Sequence, residues 1–301
     1  MTTKASEKRN QPSCLIDRLP RDVLMGILST LRVKSLLQLR CVCKSCYFLI
    51  SNSQFVKTHL NLSIACPDLL KQRQHIFMMT NLSISECPYA FTLESALPDD
   101  NVGDIVPSVV KLDCIPEIKK YTFGSYTTVI GSCDGLLCLR FGSTAFYVFN
   151  LSTRESKRIP EPDFKFCYWE DFYILGFGYD QSVHDYKLVA GDKKRFYVYS
   201  LRTDSWKKVE GLPPKPLSVS VGILLNGVIH WLLPLKRRLK IVTFCFADEK
   251  FCEFPLPTFS FRCTSELGLL GGCLCILLGR GNEIWVMKEY GRDTVLDQSG
   301  D

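Results

Sequence analysis

The feature that most constrains this chain is a pair of similar segments fifty positions apart: FYVFNLSTRESKRI begins at Phe146 and FYVYSLRTDSWKKV at Phe196. Each places apolar-rich residues on both sides of a short polar turn, so each predicts two antiparallel strands. IVTFCFADEKFCEF from Ile241 repeats the pattern, and IWVMKEYG from Ile284 begins it again. Upstream of the four lie CDGLLCL at Cys133, HDYKLVA at His184, NGVIHWLL at Asn226 and GGCLCILL at Gly271. Three of these carry Asp-Gly, Asn-Gly or Gly-Gly, pairs that tolerate the positive φ angles of a two-residue hairpin. Both histidines in this set, His184 and His230, fall in predicted strands.

Each unit therefore predicts a four-stranded antiparallel meander. One meander cannot cover both of its faces, so repeats of this length stack as propeller blades do. Three units are complete, a fourth is cut short, and a degenerate unit is the reading for the poorly legible stretch ahead of them. There His75 to Thr80 and Ala90 to Glu94 predict strands, and Pro98 to Pro107 a turn-rich loop. After Tyr290 the chain continues as GRDTVLDQSGD, a polar tail that would leave the strand at Ile284 to Met287 as an unpaired edge.

The stretch Leu19 to Leu60 is different in kind. Val23, Leu24, Ile27, Leu28 and Leu31 recur at helical spacing, with Pro20 suited to a first helical position and Asp22 at the positive end of the helix dipole. Ser35 and Gln38 have capping-box spacing, and Leu36, Leu39 and Cys43 continue a second helix. Lys44 to Ile50 predicts a third, apolar through Tyr47, Leu49 and Ile50. So small a unit cannot bury this much apolar surface alone, which points to a partner or to a cap on the chain's own β body.

The order LPxDVLxxILxxL, VKSLLxLRCVCKS, then LIS and FxxxHL, closely resembles the F-box of plant proteins that carry a C-terminal F-box associated domain. The chain is similar to the S-locus F-box-like and F-box-kelch-like group. Two departures stand out: Arg32 where the family usually has proline, and Cys46 where it usually has tryptophan. The resemblance implies a three-helix F-box that binds a Skp-type adaptor, and through it a cullin and a ring-finger subunit. The residues it assigns to docking are Leu19, Pro20, Val23, Leu24, Ile27, Leu28, Val33, Lys34 and Leu36. The repeats from about residue 90 to Gly291 look like the F-box associated domain, a propeller-like and kelch-like fold.

Other chemistry finds little footing. The charge of +6 over 301 residues is too mild to argue for nucleic acid. The fifteen cysteines are scattered, with no secretory signal ahead of them, which points to reduced thiols in the cytoplasm or nucleus. Cys41, Cys43, Cys46 and His59 do not have the spacing of a zinc site, and no phosphate loop, nucleophile elbow or carboxylate pair occurs. Neither a cofactor nor a metal is expected. The uncharged run Leu217 to Leu235 contains Asn226, Gly227 and Pro234 and predicts strand, turn, strand rather than a membrane span. The sequons at Asn61, Asn81 and Asn150 mean little without a secretory route. Two basic clusters, Lys193, Lys194, Arg195 and Lys236, Arg237, Arg238, Lys240, read as solvated loops or as contacts to an acidic patch; the second also fits a nuclear import signal.

The expectation is an α+β multidomain chain: a disordered basic segment at 1–14, an F-box at 15–62, a connecting region at 63–127, propeller-like repeats at 128–291 and the tail at 292–301. Its expected function is non-catalytic, as the target-recognition subunit of an SCF-type ubiquitin ligase. The alternatives are a propeller scaffold with no ligase role and a truncated copy that binds adaptor alone.

Overall fold

The computed structural model describes residues 19–66, 76–78, 89–92, 108–111, 127–142, 145–162, 174–192, 195–211, 220–235, 238–254, 265–278, 283–290 and 296–298. Two units divide the chain, Met1–Asp113 and Cys114–Asp301. In the first, α1 (Arg21–Thr30), α2 (Val33–Arg40), α3 (Lys44–Ile50) and α4 (Ser53–Ala65) follow one another. Pro20 is the N-cap of α1 rather than its first residue, and its carbonyl accepts from the Leu24 N–H at 3.1 Å. Ser35 lies inside α2 and does not cap it. The extended Leu31 and Arg32 complete the corner, so the helix resumes at Val33 without a side-chain cap.

α4 is an addition to the three expected helices. Asn52 caps it, its side-chain oxygen accepting from the Gln54 N–H at 2.8 Å, and Phe55 and His59 turn inward. Leu28, Leu36, Cys46, Leu49, Ile50 and Phe55 form the helical core. Tyr47, expected on the buried side of α3, is exposed; Cys46 takes its place because i, i+3, i+4 spacing with Leu49 and Ile50 defines the inward face. Later in this unit, β1 (Ile76–Met78), β2 (Tyr89–Thr92) and β3 (Ser108–Lys111) make an antiparallel sheet. The segments 1–14 and Pro98 to Pro107 lie outside the described residues.

The second unit holds four sheets. The first is β4 (Thr127–Cys133), β5 (Leu136–Phe141), β6 (Ala145–Asn150) and β7 (Glu155–Ile159). β8 (Ile174–Asp180), β9 (Asp185–Gly191), β10 (Phe196–Ser200) and β11 (Ser205–Val209) make the second, joined by a short β12 (Ser220–Val221). The third is β13 (Ile223–Leu225), β14 (Val228–Leu235), β15 (Arg238–Cys245) and β16 (Lys250–Phe254). The fourth is β17 (Glu266–Leu270), β18 (Cys273–Leu278), β19 (Glu283–Met287) and β20 (Leu296–Gln298). The sheets are antiparallel meanders in a four-blade, propeller-like arrangement.

Turn chemistry explains the meanders. Asp134-Gly135, Asn226-Gly227 and Gly271-Gly272 all have positive φ at both positions, as the hairpins require. In the longer turns Arg154, Asp204 and Glu249 take the left-handed conformation before the next strand. His184 does so too; it is a turn residue between β8 and β9, not a strand residue. The edge expected to lie open at Ile284 to Met287 is paired, since β20, within the segment read as a polar tail, bonds to β19 from Trp285 to Met287. A polar segment serves there because outer strands bury little: Glu155 to Arg158 of β7 are all exposed.

Adjacent sheets interlock through apolar side chains. Ile130, Phe146 and Val148 meet Leu175, Phe177 and Leu188 between the first two sheets. Phe196 and Val198 meet Ile229, Trp231 and Phe244 between the next two. Leu232 and Ile241 meet Leu274, Ile276 and Met287 at the last. The middle interface is the tightest: a Cβ at Gly176 would lie 2.8 Å from Ile229, and one at Gly222 would lie 2.3 Å from Ile229 and 2.6 Å from the Trp231 indole nitrogen. Trp231 Nε1–H donates to the Leu175 carbonyl at 2.8 Å, and the Gly222 N–H donates to the same oxygen at 2.7 Å.

Gly222→Ala is expected to destabilise the second unit by about 1–3 kcal/mol through overpacking, seen as a lower urea midpoint with an unchanged slope. A variant as stable as wild type would show that the Trp231 contact yields without cost.

Candidate functional site

Leu19, just ahead of the Pro20 cap, and Val23 and Ile27, one helical turn apart on α1, are 46%, 49% and 50% exposed. They form an apolar row on the outer face, with the exposed Pro20 beside Leu19 at its start and Lys34 exposed on α2. Leu24 and Val33 are half-buried. Leu28 and Leu36 are core residues, so their part in any docking is to hold α1 and α2 in place. The nine residues assigned to docking thus divide into a surface row and the packing beneath it.

Other exposed apolar residues of the helical unit escaped the sequence reading. Val42, Tyr47 and Phe48 are open to solvent, with the Arg40 guanidinium 5.2 Å from the Tyr47 ring centroid. Val56 and Ile64, eight residues apart, are exposed on α4. The signal for Phe48 was the apolar run YFLI, longer than one helical face buries.

The small core keeps the row rigid. Cys43 caps α3 by accepting the Cys46 N–H at 3.4 Å, and Cys46 is fully buried. His59 Nε2–H donates to the Leu31 carbonyl at 2.8 Å, fixing α4 to the end of α1. Cys41 is exposed. Among the described residues, no three His, Cys, Asp or Glu side chains are grouped to hold a metal.

In the second unit the first strands of the four sheets border a cavity of about 310 Å³. Its wall is Val129–Ser132 of β4, Phe177 of β8, the segment Val221–Leu224 across β12 and β13, and Leu269 of β17. Among the described residues of this wall Ser132 is the one with a polar side chain, and none is charged.

The titratable groups of this unit are tied into structure. His230 is fully buried; Nδ1–H donates to the Ile223 carbonyl at 3.3 Å and Nε2 accepts from the Tyr290 hydroxyl at 2.9 Å. Burial holds its pKa below the ordinary histidine value despite its carbonyl contacts, so the ring is neutral. Burial pushes Asp180 up, but the Lys187 ammonium 2.6 Å away and the Ser182 hydroxyl and N–H outweigh it and hold the carboxyl below its usual value. Cys133 is pushed up to about 12 by burial and by the neighbouring Asp134 charge, which keeps the thiol protonated. Cys275 is buried and Cys273 half-buried on β18.

Of the basic clusters, Lys193, Lys194, Lys236, Arg237 and the Arg238 side chain lie outside the described residues. Arg195 is paired with Asp192 at 2.8 Å, and Lys240 with Glu253 at 2.8 Å. The Asn150 side chain accepts from the Ser152 and Thr153 N–H groups in a turn, Asn61 lies on α4, and Asn81 is outside the described residues. No described helix is long and apolar enough to cross a membrane.

Two family profiles match the chain: an F-box domain over residues 16–58 and an F-box associated beta propeller domain over residues 75–297. Among curated relatives, F-box protein CPR1 of Arabidopsis thaliana is 27% identical over 90% of this chain and 70% of its own length. An F-box/kelch-repeat protein of the same plant is 28% identical over 91% of this chain and 76% of its own.

Two outcomes are expected from this geometry. Cys46→Trp, which brings in the residue usual at that position, should destabilise the helical unit by about 1–3 kcal/mol, because the site is already closed around a small side chain. Urea unfolding followed by helical circular dichroism measures it; unchanged stability would reveal unfilled space. Acid should weaken the second unit in two windows. The unfolded chain protonates His230 below about pH 6.5 while the fold resists, and below about pH 4 the stabilisation from ionised Asp180 is lost. His230→Gln should flatten the first window alone in a pH series of unfolding midpoints.

Proposed function

Because the chain belongs to the family of F-box proteins that carry an F-box associated beta propeller domain, we propose that it is the target-recognition subunit of an SCF-type ubiquitin ligase. The helical unit binds a Skp-type adaptor, which ties it to a cullin and a ring-finger subunit. The β unit holds a target protein. The observation that carries this reading is the row Leu19, Val23 and Ile27: three large aliphatic side chains half open to water along the start and outer face of α1, whose other face packs on the helical core through Leu24 and Leu28. Each is already half covered, so completing its burial is worth about 0.7–1.5 kcal/mol gross, much of it offset by the cost of association.

The subunit carries out no reaction of its own. Its contribution is proximity, since a target held on the same assembly as a ubiquitin-loaded enzyme presents its lysines at high effective concentration. The ten described cysteines are free thiols, which fits work in the cytoplasm or nucleus.

Val23→Asp with Ile27→Asp should abolish co-purification of the full chain with a Skp-type adaptor while leaving helical circular dichroism intact, because both side chains are already solvated in the free protein. Leu28→Ala is the contrast. It should lower helical stability by about 2–5 kcal/mol and weaken adaptor binding only as the unit unfolds. If the wild-type chain is folded and captures no adaptor, the ligase role is wrong and a propeller scaffold is the better account.

A further inference from the structure

We infer that the cavity at the convergence of the first strands is a docking site for a short, extended, uncharged peptide segment of the target, added as a strand to the inner edge of β4. The inference rests on the target-receptor reading above and names what the β unit grips.

β4 pairs with β5 alone, β13 with β14 alone and β17 with β18 alone, so each presents one edge with no ladder partner among the described residues. About half of the backbone N–H and C=O groups of such a strand point away from its neighbour and need a partner or water. At β4 this edge includes Val129–Ser132, where the ladder to β5 shifts register between Val129 and Gly131 around the buried Ile130, and the same four residues wall the cavity. Val129 and Gly131 are partly open and Ser132 is exposed, so the edge is within reach of solvent.

The chain itself shows what such an edge accepts. β8 occupies the same place in its own sheet, and its inner edge is taken by Ser220 and Val221, which pair with Ile174 and Leu175 in parallel. That added strand continues into Gly222, whose N–H reaches the Leu175 carbonyl, and Val221 and Gly222 then form part of the cavity wall. One extended segment has thus been fitted against a first strand here, and the neighbouring edge has no ladder partner among the described residues.

Charge and chemistry narrow the occupant. The described residues of the wall carry no charged side chain, so an acidic or basic residue entering it would lose its hydration without a partner among them. A purely hydrocarbon ligand would fill the volume and leave the β4 edge cut off from water. A peptide supplies ladder partners at strand spacing together with alternate side chains for the cavity. Leu269, 47% exposed and part of the wall, is a further apolar contact.

The test uses the full chain and a fluorescein-labelled, capped peptide Ser-Val-Ser-Val-Gly, which copies positions 218–222. Fluorescence anisotropy should show saturable binding, and amide exchange at 129–132 should slow. The same peptide N-methylated at both valines should bind at least about ten-fold more weakly, because it cannot donate those ladder bonds. Leu269→Glu should weaken binding by a similar factor with an unchanged unfolding midpoint, and Gly131→Ala, whose Cβ would make ordinary 3.5 Å contacts with the Phe177 side chain and carbonyl, should weaken it by narrowing the cavity. Equal binding of the N-methylated peptide, binding indifferent to both variants, or uptake of an apolar dye with no peptide binding at millimolar concentration overturns the inference. Adaptor capture is measured separately, so its failure would remove the ligase role and leave this result standing.

Discussion

One carbonyl oxygen organises the second unit. Leu175 accepts from both the Gly222 N–H and the Trp231 indole, so a strand of the second sheet, the segment that leads out of it and the second strand of the third sheet meet at a single acceptor. Inside an apolar interface such bonds are directional where the surrounding contacts are not, and leaving the indole N–H unpaired there would cost the full desolvation of that group. The glycines at 176 and 222 are the steric condition for it, since a methyl group at either would collide with Ile229. A comparable device joins the first two sheets, where Trp206 donates across the interface to the Pro160 carbonyl at 2.8 Å. Apolar burial supplies most of the attraction between sheets, and these two indoles set the registration.

Much of this was legible in the sequence because turn chemistry is local. Asp134-Gly135, Asn226-Gly227 and Gly271-Gly272 announce their hairpins through backbone angles that few other residues tolerate. β12 was not legible, since two residues pairing in parallel with a strand some forty-five positions earlier leave no periodic mark. β20 was missed for a related reason: an outermost strand needs main-chain groups more than apolar side chains. On α1 the stripe itself was plain, yet the division between Ile27 outside and Leu28 inside depends on where α4 crosses, which only the fold decides. Nor could the cavity be foreseen, because an unpaired strand edge has no composition of its own.

The α1 row and the cavity belong to different compact units, each with its own core. The chemistry of the two surfaces also differs. The row at α1 offers aliphatic side chains, whereas the cavity offers a strand edge as well as side chains. The first selects by shape and hydrophobicity; the second adds a demand for an extended conformation in whatever it holds.

Apart from β12, every sheet of the second unit is made of strands consecutive in the chain. Hairpins of this kind close over loops of a few residues, at small entropic cost. On a ribosome the order of emergence is then also the order of assembly, with each meander able to form on the one before it as the chain lengthens. β12 appears just after the second sheet is complete and just before the third begins. Its bonds to the edge of the second sheet, Gly222 to Leu175 included, can therefore form before Trp231 emerges to claim the same carbonyl.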